Sequence, residues 1–403
     1  MVAHMPAGTH SRIITVICLG IVQILAFGSS FYFPAVLAAP IAADTGWPLS
    51  AIVGGVSIGL LTGGLISPKI GTLIGRHDGR PVLAASSLLF AFGLAAIGLA
   101  PSVPFYFAAW VVVGLGMGAG LYDAAFAALG KRYGQAARGP ITHLTLFGGF
   151  ASTVCWPLSA FLVESVGWRG TCFVYAALHL FVALPLVLYA LRPLPTPAEA
   201  DDAPAASDTM SEADSKPTRH HETAMLILIA LILSIAAGVG AIIVVHLLII
   251  LQARGLDFAA AVALGTLFGP AQVGARMIES LAGTRYHPIW TLAASVCLMA
   301  IGLLLLLPNW PVIALAVILY AAGYGISWIA RGTLPLAIFG AARFPTLMGR
   351  IAMPSLIVQA LAPAAGALAI EHIGIAPTLA ILLSFALVNI ALVIALALRL
   401  RAA

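Results

Sequence analysis

Residues 192–222 read RPLPTPAEADDAPAASDTMSEADSKPTRHHE. Pro193, Pro195 and Pro197 open the stretch, seven of the chain's fourteen acidic residues follow, and large apolar side chains are almost missing. Such a segment cannot bury enough apolar surface to fold alone, so it reads as a solvated linker. Recruitment of a partner is the alternative reading of the same residues. Its flanks are of another kind. Over the whole chain 62% of residues are hydrophobic and 8% charged, against roughly 25% charged in soluble domains. That much apolar surface needs lipid as its solvent.

Each flank holds six apolar stretches long enough to cross a bilayer. Spans 1 to 6 cover 13–39, 48–70, 81–100, 104–130, 139–164 and 170–191; spans 7 to 12 cover 223–252, 258–282, 287–307, 311–340, 346–371 and 375–400. Several exceed the ~20 residues a crossing needs, so tilt is expected. The predicted fold is all-α and integral to the membrane. It has twelve transmembrane helices in two pseudo-symmetric six-helix halves, 1–191 and 223–403, around the polar linker 192–222.

Charge sets the orientation. With the N-terminus cytoplasmic, fifteen of the nineteen Lys and Arg fall on the cytoplasmic side and only Arg169 and Arg254 on the far side. This is the positive-inside pattern, and it places both termini and the linker in the cytoplasm of a plasma or bacterial inner membrane. Arg276 and Arg331 lie inside spans, where topology does not explain them. The net charge of +5 is spread over short loops, which points to lipid contact and away from nucleic acid. The apolar run after Arg12 is too long for a signal-peptide core and reads as a retained helix. Cys18, Cys155, Cys172 and Cys297 fall within spans at no metal-ligand spacing, so neither disulfide nor metal is expected. No P-loop is present, which argues against ATP as a driving force or cofactor.

The halves read as a degenerate repeat. Gly130 and Gly139, nine apart, bracket the turn between spans 4 and 5, as Gly340 and Gly349 do between spans 10 and 11. Span 5 carries Pro157 and ends near Glu164; span 11 carries Pro363 and ends near Glu371. Two six-helix halves around a central site are a transporter architecture.

Particular residues then resemble the major facilitator superfamily. Gly71-Thr72-Leu73-Ile74-Gly75-Arg76-His77-Asp78-Gly79-Arg80-Pro81 is similar to that family's cytoplasmic loop motif at Gly71, Arg76 and Arg80. The family's acidic residue is Gly75 here. The resemblance implies that Asp78 takes over its latch role by reaching Arg350. Gly114 to Gly120 resembles the family's glycine-rich fourth helix, with Trp110 where an Arg is usual. No strand precedes these glycines, so a nucleotide-binding reading fails, and close helix contact is their expected role. Gly167-Trp168-Arg169 resembles a further signature. Asp44-Thr45-Gly46-Trp47 looks more like the monocarboxylate and oxalate–formate porter branch, which places an Arg in span 8, as Arg276 stands here. In the superfamily the first helix of each three-helix unit, here spans 1, 4, 7 and 10, lines the pathway.

Ionisable groups inside spans mark candidate sites, because each costs roughly 2.5–3.5 kcal/mol at mid-membrane. Gln272, Arg276 and Glu279 share one helical face. They form either a self-neutralising pair or an anion site in which Arg276 grips a carboxylate and Glu279 handles a proton. Tyr320, Tyr324, Trp328 and Arg331 make a stripe that either lines an organic-anion site or packs near the interface. Asp123 is placed to meet Arg331 across the pseudo-twofold axis as a gate or proton switch. His246 either lines the cavity or binds a backbone carbonyl, and His143 is a lesser candidate. Gln23, Phe27 and Ser30 share a face of span 1 that is expected to line the same cavity.

The residues therefore predict a secondary transporter with alternating access, monomeric, moving a small organic anion such as a monocarboxylate with protons. Proton-antiport efflux of a drug or toxicant is the alternative, although Gly148-Gly149 and Pro157 stand in the wrong order for the Gly-Pro-Gly-Gly antiporter pattern. A membrane enzyme would need a catalytic cluster that the chain does not display. A sensor would need a soluble output domain, and the linker is too short and polar to be one.

Overall fold

The computed structural model describes residues 7–193, 219–282, 285–307 and 312–402; most of the linker lies outside them. Among the described residues, nine helical stretches are long and apolar enough to cross a membrane. Two of these carry more than one crossing. Val103–Ala190 folds back at Gly134 (φ 59°) and Gly167 (φ 71°), and Ile313–Ile373 folds back at Gly340 (φ 72°). The chain thus makes its twelve crossings, and the fold is all-α.

The turns refine the expected repeat. Gly167 (φ 71°, ψ 173°) and Gly374 (φ 85°, ψ 171°) close spans 5 and 11 with matching backbone angles, and each follows a glutamate by three residues. A Cβ-bearing residue rarely adopts that conformation. Gly130, by contrast, does not mark a turn. It sits within span 4, where a Cβ would come 2.2 Å from the Phe344 ring. Gly134 makes the reversal there, so Gly130 and Gly340 are not structural equivalents.

Four spans are broken near their middles: span 1 between Ser29 and Phe33, span 4 at Leu121, span 5 at Phe150, and span 8 between Gly265 and Phe268. Pro34 restarts span 1 at its first helical turn, where a missing N–H costs nothing. A break strips carbonyls of their helical donors, and side chains must replace them. Gln23 does so at the span 4 break, donating to the Gly120 carbonyl oxygen at 2.7 Å.

The glycines of span 4 act as expected. A Cβ on Gly114 would lie 2.6 Å from the Gly59 carbonyl oxygen, and one on Gly118 would lie 2.8 Å from that of Gly63, so spans 2 and 4 touch backbone to backbone. The halves meet in the same manner. Gly71 of span 2 packs on span 11 so closely that a Cβ would be 2.4 Å from the Pro345 carbonyl oxygen, and Gly349 faces Ser67 equally tightly. This seam runs from Gly71 and Gly349, near the linker side, up to Gly64 and Leu356. On the opposite, far face, Trp168 and Arg169 both donate to the Asp44 carboxylate. The two sequence signatures at 44–47 and 167–169 are therefore one clamp.

Candidate functional site

The helix breaks surround a cavity between the halves. Spans 1, 2, 4 and 5 contribute Phe27, Phe31, Tyr32, Leu60, Leu121, Tyr122, Asp123, Gly148, Gly149 and Ser152; spans 8, 10 and 11 contribute Gly269, Gln272, Arg276, Tyr324, Trp328, Leu356 and Gln359. Two inter-half contacts bound it. One is the span 2–span 11 seam, and the other is the approach of span 8 to span 5, where Arg276 lies against Gly149.

Arg276 is 3% exposed. Its Nε donates to the Gly325 carbonyl oxygen at 2.9 Å, one terminal nitrogen to the Thr145 carbonyl oxygen at 2.7 Å, and the other to Gln272 Oε1 at 3.2 Å. Gly325 makes the first contact possible, because a Cβ there would come 2.8 Å from the Gln272 Cα. The second sits at the C-terminal end of the span 5 segment Arg138–Gly149, where a cation is favoured by the helix dipole. All three acceptors are neutral. A guanidinium has five N–H donors; these bonds use three, and the Tyr122 hydroxyl is a further neutral neighbour.

Arg331 is in a different state. Its Nε and one terminal nitrogen grip both oxygens of Asp123, at 2.6 and 2.9 Å. The pair joins span 10 to span 4, with side chains 5% and 14% exposed. The expected stripe lies beside it: Tyr324 and Trp328 line the cavity, the Arg331 guanidinium stands 5.5 Å from the Trp328 ring, and Tyr320 is buried behind them. Tyr122 of the first half meets Trp328 with ring centroids 5.6 Å apart, and Phe27 meets Tyr122 at 4.7 Å.

Glu279 parts from Arg276 despite their shared helical face. Its carboxylate accepts from Thr291 Oγ1 at 2.6 Å and from the Tyr286 hydroxyl. Among the described residues it has no ion pair with Arg276, so neither a self-neutralising pair nor direct proton handling at Arg276 describes it. It lines a smaller pocket toward the linker side with Arg138, Thr142 and His143. There Arg138 of the first half donates to the Tyr286 carbonyl oxygen at 2.7 Å. Burial and then the Glu279 carboxylate push the Tyr286 phenol up to about 12.

Three further expectations are corrected. Gln23 is 0% exposed and satisfies the Gly120 carbonyl, so it is not a cavity wall. His246 reaches the Pro363 carbonyl oxygen at 3.0 Å, tying span 7 to span 11, and is not among the cavity-lining residues. Asp78 has φ 78° and accepts from the Gly79 N–H at 2.6 Å as the cap of span 3. That capping occupies the carboxylate, and no ion pair with Arg350 is found among the described residues. In the loop motif, Gly71 serves the seam while Arg76 is exposed. Ser30 bonds its own helix at Ala26. Sequence reasoning missed Tyr32, Tyr122, Ser152 and Gln359 as cavity walls. Polar character within apolar spans was the available signal for the last three.

Inter-half hydrogen bonds include those of Arg276 with Thr145, Arg331 with Asp123 and Arg138 with Tyr286. These three lie at the cavity or on its linker side, and they fasten the halves there.

A central cavity between two six-helix bundles defines a membrane transporter, and the comparisons agree. The Major Facilitator Superfamily model matches residues 19–284, and the chain belongs to that superfamily. It is a multi-pass secondary transporter. No curated protein matches by sequence. Among solved structures, the fold is similar to the fucose transporter FucP of E. coli in its outward conformation, with TM-score 0.71, 13% identity, and 96% of this chain and 99% of that one covered. It is similar to the human organic anion transporter MFSD10, with TM-score 0.70, 16% identity, and 96% and 100% covered. The proton:xylose symporter XylE gives TM-score 0.69 and 12% identity over 95% of both chains. At these identities the likeness is one of fold.

Proposed function

We propose that the protein carries a small organic anion such as a monocarboxylate together with protons, by alternating access, as a monomer of the plasma or bacterial inner membrane. The linker side is read as cytoplasmic from the basic loops, with both termini and residues 192–222 there. Halves 1–191 and 223–403 rock about the cavity.

One observation carries the substrate charge. Arg276 keeps a buried positive charge at the cavity wall with neutral partners only. A carboxylate matches such a fork in shape and sign. Arg331 is supported less as a substrate ligand, because Asp123 already neutralises it; the pair is read as the gate.

Asp123 also lines the cavity, so a proton entering from the far face can reach it. Protonation removes the carboxylate's charge and loosens its grip on both Arg331 nitrogens, while the anion neutralises Arg276. The two events together relax the linker-side fastening, which gives coupling its physical basis. Arg138, donating to the Tyr286 carbonyl oxygen, forms a second fastening point below them, with Glu279 in the same pocket.

The test is transport in liposomes loaded with a pH-sensitive dye, with protein-free vesicles setting the leak. A carboxylate that moves protons inward in wild-type vesicles is expected to lose that effect in Arg276→Gln. Losing one or two charge-assisted hydrogen bonds of ~1.5–3 kcal/mol each lowers affinity at least about tenfold. Wild-type transport in Arg276→Gln refutes the assignment. Movement of cationic or neutral toxicants with no carboxylate response turns the reading to proton-antiport efflux.

A further inference from the structure

We propose that the anion is an aromatic monocarboxylate, with its carboxylate on Arg276 and its ring seated among the aromatic side chains of the cavity. This rests on the anion reading above and narrows it.

Six rings line the cavity: Phe27, Phe31 and Tyr32 from span 1, Tyr122 from span 4, and Tyr324 and Trp328 from span 10. Three leucines make up most of the remaining apolar wall. An anion the size of formate or acetate would satisfy the guanidinium and leave that wall in water. A ring-bearing acid covers it, and burial of apolar area stabilises at ~25 cal/mol per Å².

The geometry favours a flat guest over a merely greasy one. Tyr324 meets Trp328 edge-on, at 6.2 Å and 82°, and Tyr122 meets Trp328 tilted, at 5.6 Å and 52°. Phe126 already covers one face of Tyr122, stacked at 5.1 Å and 11°, so a guest ring would meet the remaining faces and edges, the arrangements aromatic groups prefer. Tyr122 and Trp328 also belong to opposite halves. A ring packed on both is held differently when the halves move, which is the differential contact a substrate needs to drive a conformational change.

The far end of the guest has a partner. Gln359 is 4% exposed, lines the cavity, and makes no hydrogen bond among the described residues. It stands on span 11 near the span 2 seam, whereas Arg276 stands at the span 5–span 8 contact. A carboxylate on Arg276 leaves its ring in a cavity that the Gln359 amide also lines. That amide suits a hydroxyl on the ring.

The experiment is equilibrium binding of radiolabelled benzoate to the purified full-length protein, with 4-hydroxybenzoate, cyclohexanecarboxylate and acetate as competitors. Cyclohexanecarboxylate matches benzoate in size and charge but has no π face. Benzoate is expected to bind about 2- to 10-fold more tightly than cyclohexanecarboxylate, and both more tightly than acetate. Trp328→Leu is expected to lower the first ratio, because it removes the ring that meets both Tyr122 and Tyr324. Gln359→Leu is expected to abolish the preference for 4-hydroxybenzoate over benzoate. Equal binding of benzoate and cyclohexanecarboxylate, or acetate competing as well as benzoate, overturns the proposal and leaves the anion reading standing. No binding of any carboxylate to the wild-type protein overturns both.

Discussion

Replacing Asp123 with Asn tests the gate most directly. In the structure the carboxylate holds two nitrogens of Arg331 at 2.6 and 2.9 Å across the two halves. The side chains are 14% and 5% exposed. Removing one member of a buried pair costs ~3–5 kcal/mol, because the other charge is left uncompensated. Asn keeps a neutral acceptor for one of the two donors, so the lower figure applies, about 3 kcal/mol. The penalty falls only on the state fastened at the linker side, since opening that side hydrates Arg331. The equilibrium should move toward that open state about 100-fold. Thr346 reports on it: its hydroxyl oxygen lies 3.3 Å from where a Cβ on Gly75 would be, inside the span 2–span 11 seam. With Thr346→Cys in a Cys297→Ser background, labelling by a membrane-impermeant maleimide measures how often the seam opens. Asp123→Asn is expected to raise that rate by one to two orders of magnitude. The swap Asp123→Arg with Arg331→Asp is expected to bring it back toward the parent. An unchanged rate in Asp123→Asn would refute the gate, whatever transport did.

The seam makes its own prediction. Gly71→Leu places side-chain atoms where even a Cβ is only 2.4 Å from the Pro345 carbonyl oxygen, so the linker side should fail to close. Maleimide labelling at Thr346→Cys should rise, and Gly71→Ala should fall between Leu and the parent. Tyr286 predicts an alkaline effect. Its phenol is held up at about 12 against the usual 10, so the folded state keeps a proton that the unfolded state gives up. That contribution is complete below pH 10 and is lost as pH rises toward 12. The fall in unfolding temperature over this window should be shallower in Tyr286→Phe. Equal slopes in both proteins would show that the phenol does not titrate as the structure requires.

The fold was legible because lipid imposes a simple grammar: a crossing is ~20 apolar residues, and the run at 192–222 breaks that grammar once. What the sequence could not show was the breaks within crossings. Leu121 and Phe150 carry no proline or charge, yet each interrupts a helix within a crossing. Those ends decide what neighbouring polar side chains do. Gln23 looked like a cavity wall from its helical face, and the span 4 break instead gave it a carbonyl to satisfy. His246 reaches the Pro363 carbonyl, the second of the two readings its place in an aliphatic helix allowed. Helical period says which way a side chain faces, not whether a backbone acceptor is waiting there.

The same distinction separates the two buried arginines. In the sequence they are anomalies of one kind, each a cation in an apolar span. Spacing points to Glu279 as the partner of Arg276, three residues on. The fold sends that carboxylate to Thr291 and Tyr286 and gives Arg276 only neutral oxygens. Arg331 has no acid at helical spacing, and the fold brings it Asp123 from 208 residues away. The arginine with a local acid therefore ends with its charge unmatched, and the one without ends neutralised. A cavity wall needs the first condition and a gate needs the second. Which arginine does which depends on how the halves meet, and the spacing within either half does not contain that.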